Sequence, residues 1–344
     1  MMQPSQSIEY IQLPNSYFST YLPTGKRLVL LGESTQGELY NPIPISNVEI
    51  AKAVFGSGPL IDRLNDVAAG NSSGVYLMRI EPNAFQKAWG YLIKFPFDLI
   101  YNDGLTFSEA GSLISSFIAF AKEKEEMGQL IHGFFDAGSK EMDNLRELYI
   151  PIMKLSVPVE DGIEEQGKYL SVVADQMKEK KAAAVYAGFL SSLNPEISPV
   201  NKTLDVELAT EYSNKEIDEL GAAGIVCFKK TFKKGVVCAT SSCAVSTPGS
   251  AHKHIANFRI AQWLIQEIAE KQDLLVGRVG YIPVLEDLRL IAASTIQSYI
   301  DLNRITSGTF EVYADGPYMR TDIEIVPIFS VYRMSSTVQV RVRR

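Results

Sequence analysis

Apolar residues along this chain follow two patterns. In the first two thirds they gather into short unbroken runs: Lys26–Gly32 (KRLVLLG), Gly74–Ile80 (GVYLMRI), Phe97–Tyr101, Gly128–Phe135 and Ala182–Leu190 (AAAVYAGFL). Runs of this length bounded by turn residues predict strands buried on both faces; Ala182–Leu190 is marked only as small and apolar. Between them, helices are predicted at Asn47–Phe55, capped by Ser46 with Glu49 completing a capping box, and at Pro59–Ala69, with proline in the first turn. Further helices are predicted at Ser108–Lys124, Glu141–Leu148 and Gln166–Lys180, with an extended piece at Tyr149–Val157. Asn41–Ile45 reads as extended, and Ser191–Thr203, with two prolines and two asparagines, as a loop. Lys215–Leu220 is a helical turn ended by Gly221. Gly224–Phe228 and Val236–Ala239 form a strand pair joined by the basic turn Lys229–Gly235. Strands alternating with helices predict an α/β unit with a largely parallel sheet.

The last third changes period. Ile255, Phe258, Ile260, Ala261, Leu264, Ile265 and Ile268 recur at helical spacing, as do Leu288, Ile291, Ala292, Ile296, Tyr299, Ile300 and Leu302. Three strand-like runs follow: Thr309–Tyr313, Thr321–Ile328 and Thr337–Arg343. In the last, Val338, Val340 and Val342 share one face while Gln339, Arg341 and Arg343 share the other, and Arg344 closes the chain. A strand there must pair somewhere, in its own sheet or in a neighbour's. Ser7–Leu13 is a second lone strand, bracketed by Pro4 and Pro14. Two helices followed by strands make an α+β unit.

Composition narrows the function classes. The chain has 344 residues and a net charge of −7, an acidic balance that argues against nucleic-acid binding. No apolar run approaches the ~20 residues that span a bilayer. The N-terminus lacks the basic start and apolar core of a signal peptide, and three cysteines do not make a disulfide framework. A cytoplasmic origin is therefore expected.

Candidate chemistry is sparse. Phe55-Gly56-Ser57-Gly58-Pro59 carries two glycines of a dinucleotide fingerprint, but Ile61 stands where the third belongs, so a turn between helices is the better reading. Pro23-Thr24-Gly25-Lys26 ends like a phosphate loop without the upstream glycine. Cys238, Cys243, His252 and His254 lack the paired short spacings of a zinc site and read as buried strand cysteines with histidines near a helix start. Cys227 and His132 read as core, and Glu123, Glu125 and Glu126, set among lysines, as a solvated helix face. No G-x-S-x-G elbow occurs. No catalytic residue, metal ligand or cofactor is named by these patterns.

Several stretches in order carry a resemblance. GKRLVLLGESTQGELYNPIPISNVEIAKAVFGSGPLIDRL followed by GVYLMRI, then AAVYAGFLSSLNP with NKTL, then Leu220–Val226, GVVCATSSC, Ile255–Arg259 (IANFR) and Leu285–Asn303 resemble contractile tail sheath proteins of phages, phage-tail-like bacteriocins and injection systems. Each motif is short, and the specificity lies in their succession over most of the chain. Many sheaths are longer and carry extra outward domains, and the tryptophan-and-arginine signature of some relatives is not evident, so the resemblance implies a compact version.

The resemblance implies α/β plus α+β: a mixed α/β outer domain and a C-terminal α+β sheath-type domain with extended N- and C-terminal strand arms. The implied divisions are an arm at 1–22, an α/β domain at 23–245, an inner α+β domain at 246–335 and a strand arm at 336–344. It implies no catalysis and no cofactor. The implied function is a subunit that polymerises helically around a tail tube and contracts to drive the tube through a cell envelope. Its partners would be further copies of itself, a tube protein, and baseplate and terminator proteins, without direct nucleic-acid contact or membrane insertion. Its place would be the contractile tail of a virion, assembled in a host bacterial cytoplasm. Ile8, Tyr10, Ile11 and Leu13 would form one inter-subunit strand; Val338, Val340 and Val342 the other, with Arg341, Arg343 and Arg344 (and Arg333) guiding docking by charge. Arg278, Arg289 and Arg304 are the tube-facing candidates. A soluble α/β enzyme, or another tail component such as a terminator or adaptor, remains the alternative.

Overall fold

A computed structural model describes residues 23–72, 74–160, 162–276, 281–315 and 318–328. The first unbroken apolar run becomes β1 (Leu28–Gly32), buried at every residue. It is followed by β2 (Ile43–Ile45), α1 (Val48–Phe55), α2 (Pro59–Ala69) and β3 (Val75–Arg79). Next come α3 (Phe85–Leu92), β4 (Leu99–Thr106), α4 (Ser112–Glu126) and β5 (His132–Asp136). The chain continues through α5 (Met142–Glu147), α6 (Tyr149–Met153), β6 (Ser156–Val159), β7 (Gly162–Glu165) and β8 (Leu170–Val173). Then follow α7 (Ala182–Ser192), β9 (Thr203–Leu204), α8 (Asn214–Ala223), β10 (Ile225–Val226), β11 (Phe228–Thr231) and β12 (Gly235–Cys238). The last described elements are α9 (Ile255–Asp273), α10 (Tyr281–Asp301), β13 (Ile305–Asp315) and β14 (Tyr318–Pro327).

Seven strands form the main sheet in the order β10-β8-β5-β4-β1-β3-β2. All neighbours are parallel except β2, which lies antiparallel on β3. The chain steps from β1 to β3 on one side, then returns to β4 and continues outward on the other. Such sheets are covered on both faces, which is why their strands read as continuous apolar runs. α7 is buried at ten successive positions and packs on α2 and on β4, β5 and β8. Glycine permits the α2–α7 approach: a Cβ on Gly188 would lie 2.1 Å from the Val67 carbonyl oxygen.

Several sequence expectations need correction. Asn47, not Ser46, caps α1, its Oδ1 accepting from the Ile50 N–H at 2.8 Å. Gln166–Lys180 is not a helix; a single 3-10 turn at Gln166–Tyr169 leads into β8, which lies between β5 and β10. A four-residue apolar run, Leu170-Ser171-Val172-Val173, is too short for its period to separate strand from helix. Tyr149–Val157 opens with the helical α6 before β6 pairs with β7. α8 runs past Gly221 and ends at Gly224, whose φ of +84° is a left-handed helix stop suited to glycine. α3, absent from the sequence reading, buries Phe85, Ala88, Trp89 and Leu92 at helical spacing. The strand pair divides: β10 joins the main sheet, while β11 turns away to pair with β12, with β9 at the far edge.

The C-terminal unit consists of α9, α10 and the antiparallel β13–β14 hairpin. Ile323 and Ile325 of β14 and Phe310 of β13 pack against Ile260, Leu264, Ile268, Ile296 and Tyr299. On β14, Asp322, Glu324 and Val326 alternate outward, as the period-two pattern requires.

Candidate functional site

In a doubly wound sheet, ligand chemistry gathers at the carboxyl ends of the strands. Here that end holds Asp103, Asp136 and Asp175, with Asp66 of α2 nearby. Burial pushes Asp103 up to about 6, and burial with the Asp136 charge pushes Asp175 up to about 7. Tyr101 donates to Asp136 at 2.6 Å, and Arg63 pairs with Asp66 and, at 3.4 Å, with Asp103. The adjoining cleft of about 750 Å³ is lined by Ser108, Ser139, Asn144, Glu147, Lys154 and Gln166 among others, and by none of these aspartates. Asp66 and Asp136 are buried and Asp103 and Asp175 half-buried.

The remaining chemical candidates are equally occupied. His132 is buried; its Nδ1–H donates to the Lys168 carbonyl at 3.1 Å and its Nε2 meets Ser171 Oγ at 2.9 Å. Burial lowers it to about 3, so the ring is neutral. All three cysteines are buried, with Cys227 pushed up to about 12 by burial. His252 pairs with Glu165 at 2.9 Å, and among the described residues no three His, Cys, Asp or Glu side chains gather as a metal site. The glycine turn 55–59 joins α1 to α2, and the Ser57 and Phe55 carbonyls accept from the backbone of Thr35 and Gln36. The α2 start is likewise occupied, the Leu60 N–H donating to the Glu33 carbonyl at 2.9 Å. The charged end of α4 is only partly a solvated face. Lys124 is buried, donating to the Phe95 carbonyl at 2.8 Å and to Gln129 at 2.7 Å, and Glu125 accepts from Tyr169.

The polar groups that stand out are on α9, which belongs to both cores. Ile255 and Phe258 pack into the α/β core, while Ile260, Leu264 and Ile268 pack into the C-terminal one. Between them, buried side chains clamp the amino ends of the sheet. Gln262 Nε2 donates to the Asp98 and Leu130 carbonyls at 2.8 and 2.7 Å. Asp98 is buried and accepts four hydrogen bonds of 2.8–3.0 Å, from Arg27 N, Nε and Nη2 and from Gln266 Nε2. Gln266 returns an acceptor to Arg27 at 2.7 Å. Arg259, fully buried, donates through Nη2 to the Gly25 and Leu193 carbonyls at 2.9 Å each. A charge pair stripped of water persists when its lone pairs are filled this way, and it fixes one geometry. The sequence reading noted Arg259 but missed Gln262 and Gln266, whose polarity on a core-facing stripe was the available signal.

The C-terminal unit presents open surface. Among the described residues, neither outer edge of the β13–β14 pair carries a further strand. Leu274, Val276, Ile282, Leu290 and Leu302 are more than half exposed. Of the tube-facing candidates, Arg289 is exposed on α10. Arg304 lies 4.1 Å over the Trp263 ring and 5.1 Å from that of Tyr299, stacked within its own unit. Arg278 lies outside the described residues, as do Arg333, all the N-terminal arm candidates (Ile8, Tyr10, Ile11, Leu13) and all the C-terminal ones (Val338, Val340, Arg341, Val342, Arg343, Arg344).

No protein-family model matches the chain, and no curated protein matches it by sequence. Solved structures do match. The sheath complex of the PVC extracellular contractile injection system, in its contracted state, superposes with a TM-score of 0.71 at 12% identity, over 98% of each chain. This is the sheath-protein fold. A chain of the anti-feeding prophage baseplate superposes equally well, with a TM-score of 0.71 at 10% identity over 99% of this chain and 100% of that one. The sheath tail protein from Desulfitobacterium hafniense gives 0.63 at 10% identity, over 94% and 100%. The resemblance read from motif order therefore extends to the three-dimensional fold of the chain, and the mixed α/β architecture with its several sheets is the architecture of sheath proteins.

Proposed function

We propose that the chain is a structural subunit of a contractile sheath. It would polymerise helically around a tube, and its shortening would drive the tube through a target envelope. The observation carrying this reading is the superposition on sheath proteins over nearly the full length of both chains. The local physics supports it. A two-stranded hairpin with open edges is a template for strand addition, in which main-chain hydrogen bonds supply affinity and alternate side chains supply register. In this reading the strands around Ile8–Leu13 and Val338–Val342 of neighbouring copies extend β13 and β14. Segments 1–22 and 336–344 act as arms, 23–245 faces outward, and 246–335 faces the tube with Arg289 at its surface. A head-to-tail link of this kind generates an open helical array.

Contraction is then a rigid-body change between two packings of the same subunits, joined throughout by their arms. The α9 clamp suits such a subunit, because Asp98, Gln262 and Gln266 tie the C-terminal unit to the sheet. Tube, baseplate and terminator proteins are the implied partners, and a contractile tail or injection machine assembled in a bacterial cytoplasm is the implied setting. No catalytic step is assigned. Electron microscopy of the purified full-length protein tests the reading: hollow sleeves are expected, and a persistent monomer at high concentration contradicts it.

A further inference from the structure

One hairpin is left unused by the arms. β11 and β12 meet in a turn that displays Phe232 fully exposed at its tip. Lys229, Lys230, Lys233 and Lys234 surround it, and Phe228–Gly235 contains no acidic residue. The tip is built rather than loose. The Lys234 N–H donates to Thr231 Oγ1 at 3.2 Å, and Thr231 Oγ1 donates to the Gly235 carbonyl at 3.1 Å. Gly235 takes the positive φ of +74° that the turn needs. A large apolar side chain held in water inside a ring of cations fits an apolar recess with an acidic rim.

The same chain carries such a recess. Between α5 and α8 an open apolar hollow of about 430 Å³ is lined by Leu145, Tyr149, Leu220 and Ala223, with the Arg146–Glu219 pair (2.8 Å) at its rim. Glu141–Glu147 holds three acids against one base, and Asn214–Ala223 again three against one. By sequence the two segments carry a net charge of −4, partly offset by Lys253, whose Nζ donates to the Ala222 carbonyl at 3.0 Å, against +4 on the hairpin. The hollow is large enough for a phenyl ring, and Phe232, being fully exposed, does not occupy it within its own chain.

We infer that the Phe232 hairpin of one copy docks in the α5–α8 recess of another. The two surfaces differ, so the contact is heterologous and propagates into an open array. The contact deepens the sheath reading by naming a second link between copies, and rests on that reading for its helical setting.

Cross-linking tests it, because the three native cysteines are buried and introduced surface thiols react first. Full-length Lys233→Cys and Ala222→Cys subunits, mixed under mild oxidation, should give mixed cross-linked pairs several-fold above either variant alone. Adding Phe232→Ser to the first variant should lower that yield about tenfold, the effect of leaving one aromatic anchor unburied, and raised salt should lower it as well. A mixture no more reactive than its components, or a yield indifferent to Phe232→Ser, overturns the inference. Binding of the full chain to anionic phosphatidylserine vesicles, abolished by Phe232→Ser, would assign the tip to lipid and overturn it too. Microscopy separates this outcome from the parent reading. Sleeves without the cross-link leave the sheath and remove the contact; the cross-link without sleeves does the reverse.

Discussion

The α/β body and the C-terminal unit are built to different degrees of completeness. In the body, β1 is buried at every residue, α7 at ten successive positions, and the sheet is covered on both faces. The C-terminal unit has one cluster of six buried apolar residues and another of three among the described residues. Among the described residues no further strand lies on either hairpin edge, and Leu274, Val276, Ile282, Leu290 and Leu302 are largely in water. A domain that must stand alone closes its sheet and buries its apolar faces. This contrast fits the proposed assembly, in which the body supplies the stability of the subunit and neighbours would finish the C-terminal unit. α9 joins the two, with one stretch of its surface in each core and a buried polar clamp between them.

Substitutions on either side of this divide should behave differently. Leu30→Ala, in the fully buried β1, should cost about 2–5 kcal/mol and lower the midpoint of thermal unfolding of the isolated subunit sharply. A loss below about 1 kcal/mol would show that the body is not the stability reservoir. Gln262→Ala should cost about 1–3 kcal/mol, since it removes a buried donor from two carbonyls. Hydrogen exchange should speed first along α9 and in the C-terminal unit, with the inner strands of the sheet unchanged. Uniform acceleration across both regions would mean that α9 is ordinary core and no clamp.

The acids at the carboxyl ends of the strands give a pH dependence that belongs to the body alone. Asp103 and Asp175 have folded values raised to about 6 and about 7, above those of an unfolded chain, so the folded state binds more protons in between. Their stabilising contribution is full below the unfolded value and is lost as pH rises from about 4 to about 7. Asp175→Asn should therefore stabilise the subunit by about 1–2 kcal/mol at pH 8 and leave it unchanged at pH 4. Denaturant melts at both pH values check this, and a gain at pH 4 alone would reverse the sign. The smallest effect on stability is expected on the open surface. Leu290→Ser should shift the isolated subunit by less than about 0.5 kcal/mol while weakening assembly. A large loss of monomer stability would move Leu290 from the interface into the fold.

Much of the body could be read from the chain because its signals are local. The run Leu28–Leu31, the Pro59 helix start and the helical period after Ile255 each predicted the element that forms. β8 was misread because four residues carry too little period, and the Asn47 cap was missed because Ser46 beside it has the same chemistry. The clamp was illegible for a different reason. Gln262 and Gln266 are polar residues on a buried face, and their partners Asp98 and Leu130 lie far away in sequence. The acids Glu123, Glu125 and Glu126 read as one solvated face because the partners beside them, Tyr169 on Glu125 and the Phe95 carbonyl on Lys124, are set by the fold. The pairing of β13 with β14 was only hinted at by the alternation of Ile323 and Ile325 with Asp322 and Glu324.

In the proposed assembly, strands from neighbouring copies complete the C-terminal unit. Electron microscopy of the full-length chain beside a chain lacking Ser336–Arg344 tests it most directly. Hollow sleeves are expected from the full chain and dispersed, folded subunits from the truncated one. Sleeves of equal length and order from the truncated chain would contradict it.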